Sequence, residues 1–164
     1  MRVKRGDGMR TGTVPTLPNR SAVWEMARAP TPTWPFISTL ELRAVPTSLP
    51  PARKHARLVT EKWGLPKLAD DVELVVSELV TNAVEATLKT WHNGGASPVP
   101  VRLWLASDLE AILIQVWDSS PDMPVRRKAA MDDERGRGLL LVGNLCRAWG
   151  TYRKGIGKAV WVVL

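Results

Sequence analysis

Four polar side chains share one face of a predicted helix in the stretch ELVTNAVEAT. They are Glu78, Thr81, Asn82 and Glu85, and their spacings of three, one and three residues place them on one helical surface. Glu78 and Asn82 are about 6 Å apart along the helix axis, so both can act on one ligand. An amide oxygen is a suitable ligand for Mg²⁺, and a carboxylate can orient or deprotonate a hydroxyl. An isolated Glu and Asn would more often only solvate the helix, so the rest of the sequence must decide.

Two further segments carry residues suited to ligand binding. In VWDSSPDMP, Asp118 ends an apolar strand, where a lone aspartate either forms a turn with its own backbone or offers a fixed hydrogen-bond acceptor. In ERGRGLLLV, Gly136 and Gly138 flank Arg137 directly before a predicted helix. Backbone N–H groups at such a position can approach a phosphate closely, although a GxG sequence alone is also typical of a flexible loop.

Together, and in this order, the three segments resemble the N, G1 and G2 boxes of the gyrase, chaperone and histidine-kinase ATPase superfamily. The resemblance is closest to the anti-sigma-factor serine/threonine kinases and extends from about Leu40 to Leu164. It includes a GxGKxVW-like sequence at Gly155 to Trp161. This resemblance implies the Bergerat ATP-binding fold, with ATP and Mg²⁺ as cofactors.

The resemblance also implies a role for each matching residue. Glu78 corresponds to the general base for the attacking hydroxyl, and Asn82 to the Mg²⁺ ligand. Asp118 corresponds to the acceptor of the adenine amino hydrogen, which predicts selectivity for ATP over GTP because guanine has a carbonyl there. Ser120 and Pro121 are expected to shape the floor of the pocket. The phosphate end is predicted at Arg135, Gly136, Arg137, Gly138 and Leu139.

Three other features follow from the same comparison. Residues 124 to 136 form the predicted lid, whose basic run at 126 to 128 could neutralise phosphate or contact an acidic partner. Lys158, in the predicted terminal hairpin, is a weaker candidate for phosphate binding. Many anti-sigma kinases have a histidine soon after the N-box asparagine, whereas this chain has Glu85, Ala86 and Thr87 there.

Hydrophobic periodicity predicts the elements that position these residues. A partly alternating strand covers 36–45, and the following helix ends near Gly64. The apolar stripe of that helix consists of Ala52, Ala56, Val59 and Trp63. Pro66 suits the first turn of a second helix, which carries the polar face on one side. Its apolar face consists of Leu68, Val72, Val75, Val76, Leu79 and Ala83.

The C-terminal half predicts two hairpins and a helix. Strands at 101–108 and 111–118 flank a short turn, and the chain closes with a hairpin whose turn is Gly155 to Gly157. LLLVGNLCRAWG between them predicts a buried helix that stops at Gly150. We therefore predict an α/β protein of the α+β two-layer type. Its mixed, mainly antiparallel sheet of four or five strands would be covered on one face by about three helices.

Composition restricts the class of protein. A basic, Pro-rich extension at 1–35 carries +4 of the formal charge of +7 and is predicted to be flexible, and the ATPase domain covers 36–164. No stretch approaches the roughly 20 apolar residues of a membrane span. A single cysteine, Cys146, cannot form an internal disulfide and fits a reducing compartment. We expect a soluble, cytoplasmic protein with Cys146 in its core.

Two functions fit this sequence. The leading hypothesis is a regulatory kinase that phosphorylates a serine or threonine of a partner protein, such as an anti-anti-sigma antagonist, and so acts in transcription regulation. The alternative is a non-catalytic, nucleotide-dependent module that sequesters a sigma factor or another regulator. A homodimer is compatible with either function. Neither a membrane nor a nucleic-acid partner is expected, since a basic tail is more often a solubilising or anion-steering segment.

Overall fold

Two helices and five strands make up the described part of the chain, which in this computed structural model is residues 34–92, 100–123 and 145–164. In order they are β1 (Phe36–Leu42), α1 (Leu49–Lys62), α2 (Ala69–His92), β2 (Val101–Ser107), β3 (Ile112–Asp118), β4 (Ala148–Lys154) and β5 (Gly157–Val163). Short 3₁₀ turns, Pro46–Ser48 and Pro66–Leu68, precede the helices. Neither helix in these ranges is long and apolar enough to cross a membrane.

The five strands form one sheet in the order β1-β2-β3-β5-β4, and every neighbouring pair is antiparallel. Asp108 holds the turn between β2 and β3, because its Oδ1 accepts hydrogen bonds from the N–H groups of Glu110 (2.9 Å) and Ala111 (2.8 Å). Gly155 closes the β4–β5 hairpin with a φ of 58°, a left-handed conformation that favours glycine. Both predicted hairpins are confirmed.

The two helices pack on one face of the sheet and bury an aliphatic core between the layers. Ala52 and Ala56 of α1 are 1% and 0% exposed, so the predicted apolar stripe does face inward. The core residues of α2 are Val72, Val75, Val76, Leu79, Val80, Ala83 and Val84. They lie against aliphatic side chains of β2 and β3, among them Leu105 and Ile114. The predicted two-layer α+β sandwich is confirmed.

The face of the sheet opposite the helices carries an aromatic cluster, here called the outer-face cluster. Its buried members are Trp34, Ala106, Ala111, Leu113, Tyr152, Ala159 and Trp161. Within it the Tyr152 hydroxyl donates a hydrogen bond to Gln115 Oε1 at 3.1 Å, and burial raises the pKa of Tyr152 to about 12. Trp34 belongs to the stretch predicted as a flexible extension, yet its side chain packs in this cluster.

Several predicted element boundaries are wrong. The helix predicted over LLLVGNLCRAWG does not extend to Gly150, because Ala148–Lys154 is strand β4, while residues 139–144 of that prediction lie outside the described ranges. A Cβ at Gly150 would lie 2.6 Å from the Trp161 ring, so this glycine makes room for an aromatic side chain and ends no helix. Pro66 likewise begins a 3₁₀ turn, and α2 starts at Ala69.

Candidate functional site

A cavity of about 230 Å³ opens between α2 and one end of the sheet. α2 forms one wall, and β3, β4 and β5 form the other. The residues that line it are Leu79, Asn82, Ala83, Ala86, Val116, Asp118, Asp122, Trp149, Lys158 and Val160. Apolar side chains predominate, and the few polar groups among them are placed to orient a ligand.

The helical wall of the cavity follows from the spacing of residues on α2. Leu79, Asn82, Ala83 and Ala86 follow one another at spacings of three, one and three residues and form one stripe of the helix. Ala83 and Ala86 have short side chains, which leave space between the helix and the sheet. Asn82 is exposed, so its carboxamide lies at the open rim of the cavity.

The sheet wall of the cavity follows from alternation along two paired strands. Val116 and Asp118 on β3, and Lys158 and Val160 on β5, all face α2 because side chains two positions apart share a face. The register pairs Val116 with Val160 and Asp118 with Lys158. Trp149 of β4 completes an apolar surface that is bounded by a charged pair.

Asp118 and Lys158 form a buried ion pair at the edge of this surface. Lys158 Nζ donates to Asp118 Oδ1 at 2.7 Å, and the two residues are 5% and 1% exposed. The N–H of Ser120 donates to the same oxygen at 2.9 Å. Burial raises the pKa of the Asp118 carboxyl, while the hydrogen bond and charge of Lys158 and the Ser120 N–H act in the opposite direction. The site therefore places a carboxylate and an ammonium side by side in an apolar environment.

Comparison with known proteins assigns the fold to a family. A family model described as the histidine kinase-like ATPase domain matches residues 42–164, which is most of the chain. The chain belongs to the histidine kinase-like ATPase family. This match confirms the superfamily that the three sequence boxes predicted. A comparison with curated proteins finds no match.

A solved structure supports the same fold for this histidine kinase-like ATPase domain. A chain from the crystal structure of the SiaB–SiaC complex of Pseudomonas aeruginosa is similar to it, with a TM-score of 0.58 at 14% sequence identity. The match covers 88% of this chain and 98% of that chain. At this level of identity the likeness establishes a shared fold.

The terminal GxGKxVW-like sequence of the domain has a structural role beside the cavity. A Cβ at Gly157 would collide with the main-chain carbonyl of Asp118, so only glycine allows β5 to approach β3 closely at this point. The next residue, Lys158, is thereby brought beside the Asp118 side chain. The glycine of this motif positions the ion pair.

The turn that follows β3 is built on Asp118 as well. Ser120 is 1% exposed, and its Oγ accepts a hydrogen bond from the N–H of Asp122 at 3.3 Å. Asp122 lines the cavity, whereas Ser120 and the exposed Pro121 are not among the lining residues. The contribution of Ser120 is to fix the turn that presents Asp122.

The predicted N-box residues occupy different positions relative to the cavity. Asn82 lines it, while Glu78 is half-buried one helical turn earlier and is not among the lining residues. Thr81 donates its hydroxyl to the Ser77 carbonyl at 2.7 Å, so it is engaged with its own helix. Glu85 is exposed. Of the predicted polar face, only Asn82 contacts the described cavity.

Some predicted site residues lie outside the described ranges. These are Arg135, Gly136, Arg137, Gly138 and Leu139, together with the predicted lid at 124 to 136. Conversely, the sequence did not single out Asp122 and Trp149 as site residues. Asp122 follows Asp118 by four residues in the same loop, a signal that could have identified it. Trp149 was assigned to a helix, and nothing in its local sequence indicates a strand beside β5.

Proposed function

We propose that this chain binds ATP with Mg²⁺ and transfers the γ-phosphate to a serine or threonine of a partner protein, as a regulatory kinase of the anti-sigma-factor type. The observation that carries the proposal is the buried Asp118 carboxylate beside an apolar cavity in a histidine kinase-like ATPase domain. The cavity of about 230 Å³ is smaller than a typical cleft of about 300–1,000 Å³ for a whole ligand. It suits the base of a nucleotide whose phosphates extend past the rim.

Asp118 is the residue that reads the base in this proposal. An ionised carboxylate accepts hydrogen bonds and donates none, so it favours a base that presents an amino group. Adenine has an exocyclic amino group where guanine has a carbonyl oxygen, which the carboxylate would repel. The proposal therefore includes selectivity for ATP over GTP.

The rim of the cavity fits the needs of Mg²⁺. This ion prefers oxygen ligands and takes most of them from phosphate and water, so it needs few from the protein. Asn82 would hold it through its amide oxygen, and Asp122, in the segment after β3, offers a further oxygen that lines the cavity. When bound, Mg²⁺ supplies charge neutralisation at the phosphates. The predicted phosphate contacts at Arg135 to Leu139 belong to the same proposal.

Glu78 is the general base of the proposed reaction. It lies one turn before Asn82, about 6 Å along the axis of α2, and in the proposal it acts beside the γ-phosphate that Mg²⁺ contacts. Its carboxylate takes the proton of the acceptor hydroxyl while that oxygen bonds to the γ-phosphorus and ADP leaves. Apart from this proton transfer, the protein contributes positioning and charge neutralisation.

A protein partner is part of the proposal. The similar solved chain comes from a complex of SiaB with SiaC, so this fold is compatible with binding a second protein. We propose a partner of the anti-anti-sigma antagonist type, which would carry the phosphorylated serine or threonine, or a sigma factor. A homodimer of the chain belongs to the same proposal.

One pair of observations favours a second function. Glu85, Ala86 and Thr87 stand where many anti-sigma kinases have a histidine, and Glu78 does not line the described cavity. Both are expected of a module that binds ATP in order to hold a regulator but never transfers phosphate. This second candidate shares the pocket and the partner and differs only in the chemical step.

The substitution Glu78→Gln separates the two functions. A kinase loses phosphoryl transfer, by roughly 100-fold or more for a lost general base, while its affinity for ATP stays within about threefold. The measurement is phosphate transfer from radiolabelled ATP to candidate antagonist proteins of the same organism, with calorimetry for affinity. Glu85→Gln, an exposed carboxylate two turns further along α2, is the matched control and should transfer like the wild type. Wild-type protein that binds ATP but phosphorylates none of them would favour the binding module.

A further inference from the structure

Lys158 is almost fully buried, which is unusual for a lysine and calls for a ligand or a partner. We propose that Lys158 determines base specificity together with Asp118, by donating a hydrogen bond to N1 of adenine while Asp118 accepts from the adjacent amino group. This inference rests on the proposed ATP binding and adds a second reader to the base pocket.

The placement of Lys158 is the first step of the argument. It is the cross-strand partner of Asp118, both side chains face α2, and both line the same cavity. Their 2.7 Å hydrogen bond fixes the ammonium next to the carboxylate. A base that contacts one of these groups therefore lies within reach of the other.

The second step is a count of hydrogen bonds. Asp118 Oδ1 already accepts two, from Lys158 and from the Ser120 N–H, so a ligand donor is directed to Oδ2. The ammonium of Lys158 has three hydrogens, and within residues 34–92, 100–123 and 145–164 Asp118 is the one acceptor recorded for it. The pair thus retains both an acceptor and donors for a ligand.

The third step is the chemistry of the base. The amino group of adenine is flanked by two acceptors, N1 and N7, so a neighbouring donor and acceptor on the protein match its edge. In guanine an acceptor, O6, stands next to the N1–H donor, which reverses the order of the two groups. A pair that β3 and β5 hold in one register cannot reverse its own order. N7 is an acceptor in both bases, so only a bond to N1 distinguishes them. Through N1, Lys158 reinforces the preference for adenine that Asp118 alone would give.

Nucleotide analogues test this role in the unaltered protein. Calorimetric affinities for ATP, 1-deaza-ATP and 7-deaza-ATP compare bases in which N1 or N7 is replaced by a C–H group. We expect 1-deaza-ATP to bind about tenfold or more weakly than ATP, the loss typical of a hydrogen bond to a charged group, and 7-deaza-ATP to bind like ATP. A loss confined to 7-deaza-ATP would contradict the assignment to N1. Equal affinity for all three nucleotides would overturn the proposal while leaving ATP binding intact. Absence of ATP binding would overturn the proposed function, and this inference with it.

Variants of Lys158 distinguish specificity from mere structural support. Lys158→Met should bind 1-deaza-ATP and ATP with equal affinity, because the donor to N1 is gone. Lys158→Gln retains an N–H donor and should recover part of the discrimination, even if the Met variant does not fold. Arg153→Met removes an exposed charge on β4, directly opposite Lys158 of β5. This variant should distinguish ATP from 1-deaza-ATP as the wild type does. A Met or Gln variant whose affinities for ATP and 1-deaza-ATP fall by the same factor would show that Lys158 only supports the fold.

Discussion

Two buried polar pairs connect β3 to the C-terminal hairpin, one on each face of the sheet, and they differ in charge and in surroundings. On the helix side, Asp118 and Lys158 form a charged pair that borders a cavity. On the opposite side, Gln115 and Tyr152 form a neutral pair inside the outer-face cluster, where aromatic side chains cover them. The neutral pair stabilises packing, whereas the charged pair keeps hydrogen-bonding capacity for a ligand. A charged pair beside a cavity, in contrast to a neutral pair under aromatic side chains, identifies the helix side of the sheet as the candidate site.

The largest effect on stability is expected for Lys158→Met. It leaves the Asp118 carboxylate buried without its charge partner, and breaking such a pair costs about 3–5 kcal/mol of the free energy of unfolding. Burial already raises the pKa of Asp118, and the loss of Lys158 raises it further. Because the folded-state pKa of Asp118 lies above the unfolded value near 4, the destabilisation should be larger at pH 7 and should shrink as the pH falls through the raised pKa toward about 4. Urea unfolding of both proteins at pH 7 and at about pH 4 measures this. A difference in unfolding free energy that does not change with pH would contradict the charged state of the pair.

Gly157→Ala should have a smaller effect that reaches the site. The added Cβ collides with the Asp118 carbonyl, which is backbone, so β5 must move away from β3. Overpacking of this kind costs about 1–3 kcal/mol, and the moved Lys158 should also weaken ATP binding. Gly150→Ala is the matched control, since its Cβ meets only the Trp161 side chain, on the face away from the cavity, and not the backbone of β3. It should lower the unfolding free energy and leave ATP affinity unchanged. If both variants lost the same ATP affinity, the binding site could not be attributed to the Asp118 and Lys158 side of the sheet.

Tyr152→Phe should have the smallest effect on the site. It removes the hydrogen bond to Gln115 and leaves a buried amide oxygen without that donor, at a cost of about 1–3 kcal/mol of unfolding free energy and none of ATP affinity. The folded-state pKa of about 12 lies above the ordinary value of 10, so the wild type loses stability as the pH rises between the two. The variant lacks that loss, so the difference between the proteins should narrow above pH 10. A reduced affinity for ATP would indicate that the outer-face cluster is coupled to the site.

Much of the fold could be predicted because local periodicity determines it. The stripe containing Ala52 and Ala56 and the hairpins around Asp108 and Gly155 depend on neighbouring residues alone. Trp149 could not be placed in the same way, because a short apolar run fits a buried strand as well as a buried helix. Its assignment depends on pairing with β5, which is a tertiary interaction.

The candidate site shows the same division. Asn82 and Asp118 were singled out from residue type and spacing, and both line the cavity. The partnership of Asp118 with Lys158 could not be predicted, because it joins residues 40 positions apart through the register of β3 and β5. From the sequence, Lys158 is only a weaker candidate for phosphate binding, because the register that pairs it with Asp118 is not visible there. In the structure its position beside Asp118 favours the base.

The most direct test of the central claim is calorimetric titration of ATP and GTP, each with Mg²⁺, into the wild type and Asp118→Asn. Asp108→Asn, a substitution in the β2–β3 turn, serves as the control. The account predicts that the wild type and the control bind ATP in clear preference to GTP, and that Asp118→Asn loses about 10- to 100-fold in ATP affinity, as expected for a hydrogen bond to a charged group. An Asp118→Asn protein that remains folded and binds ATP as tightly as the wild type would contradict it.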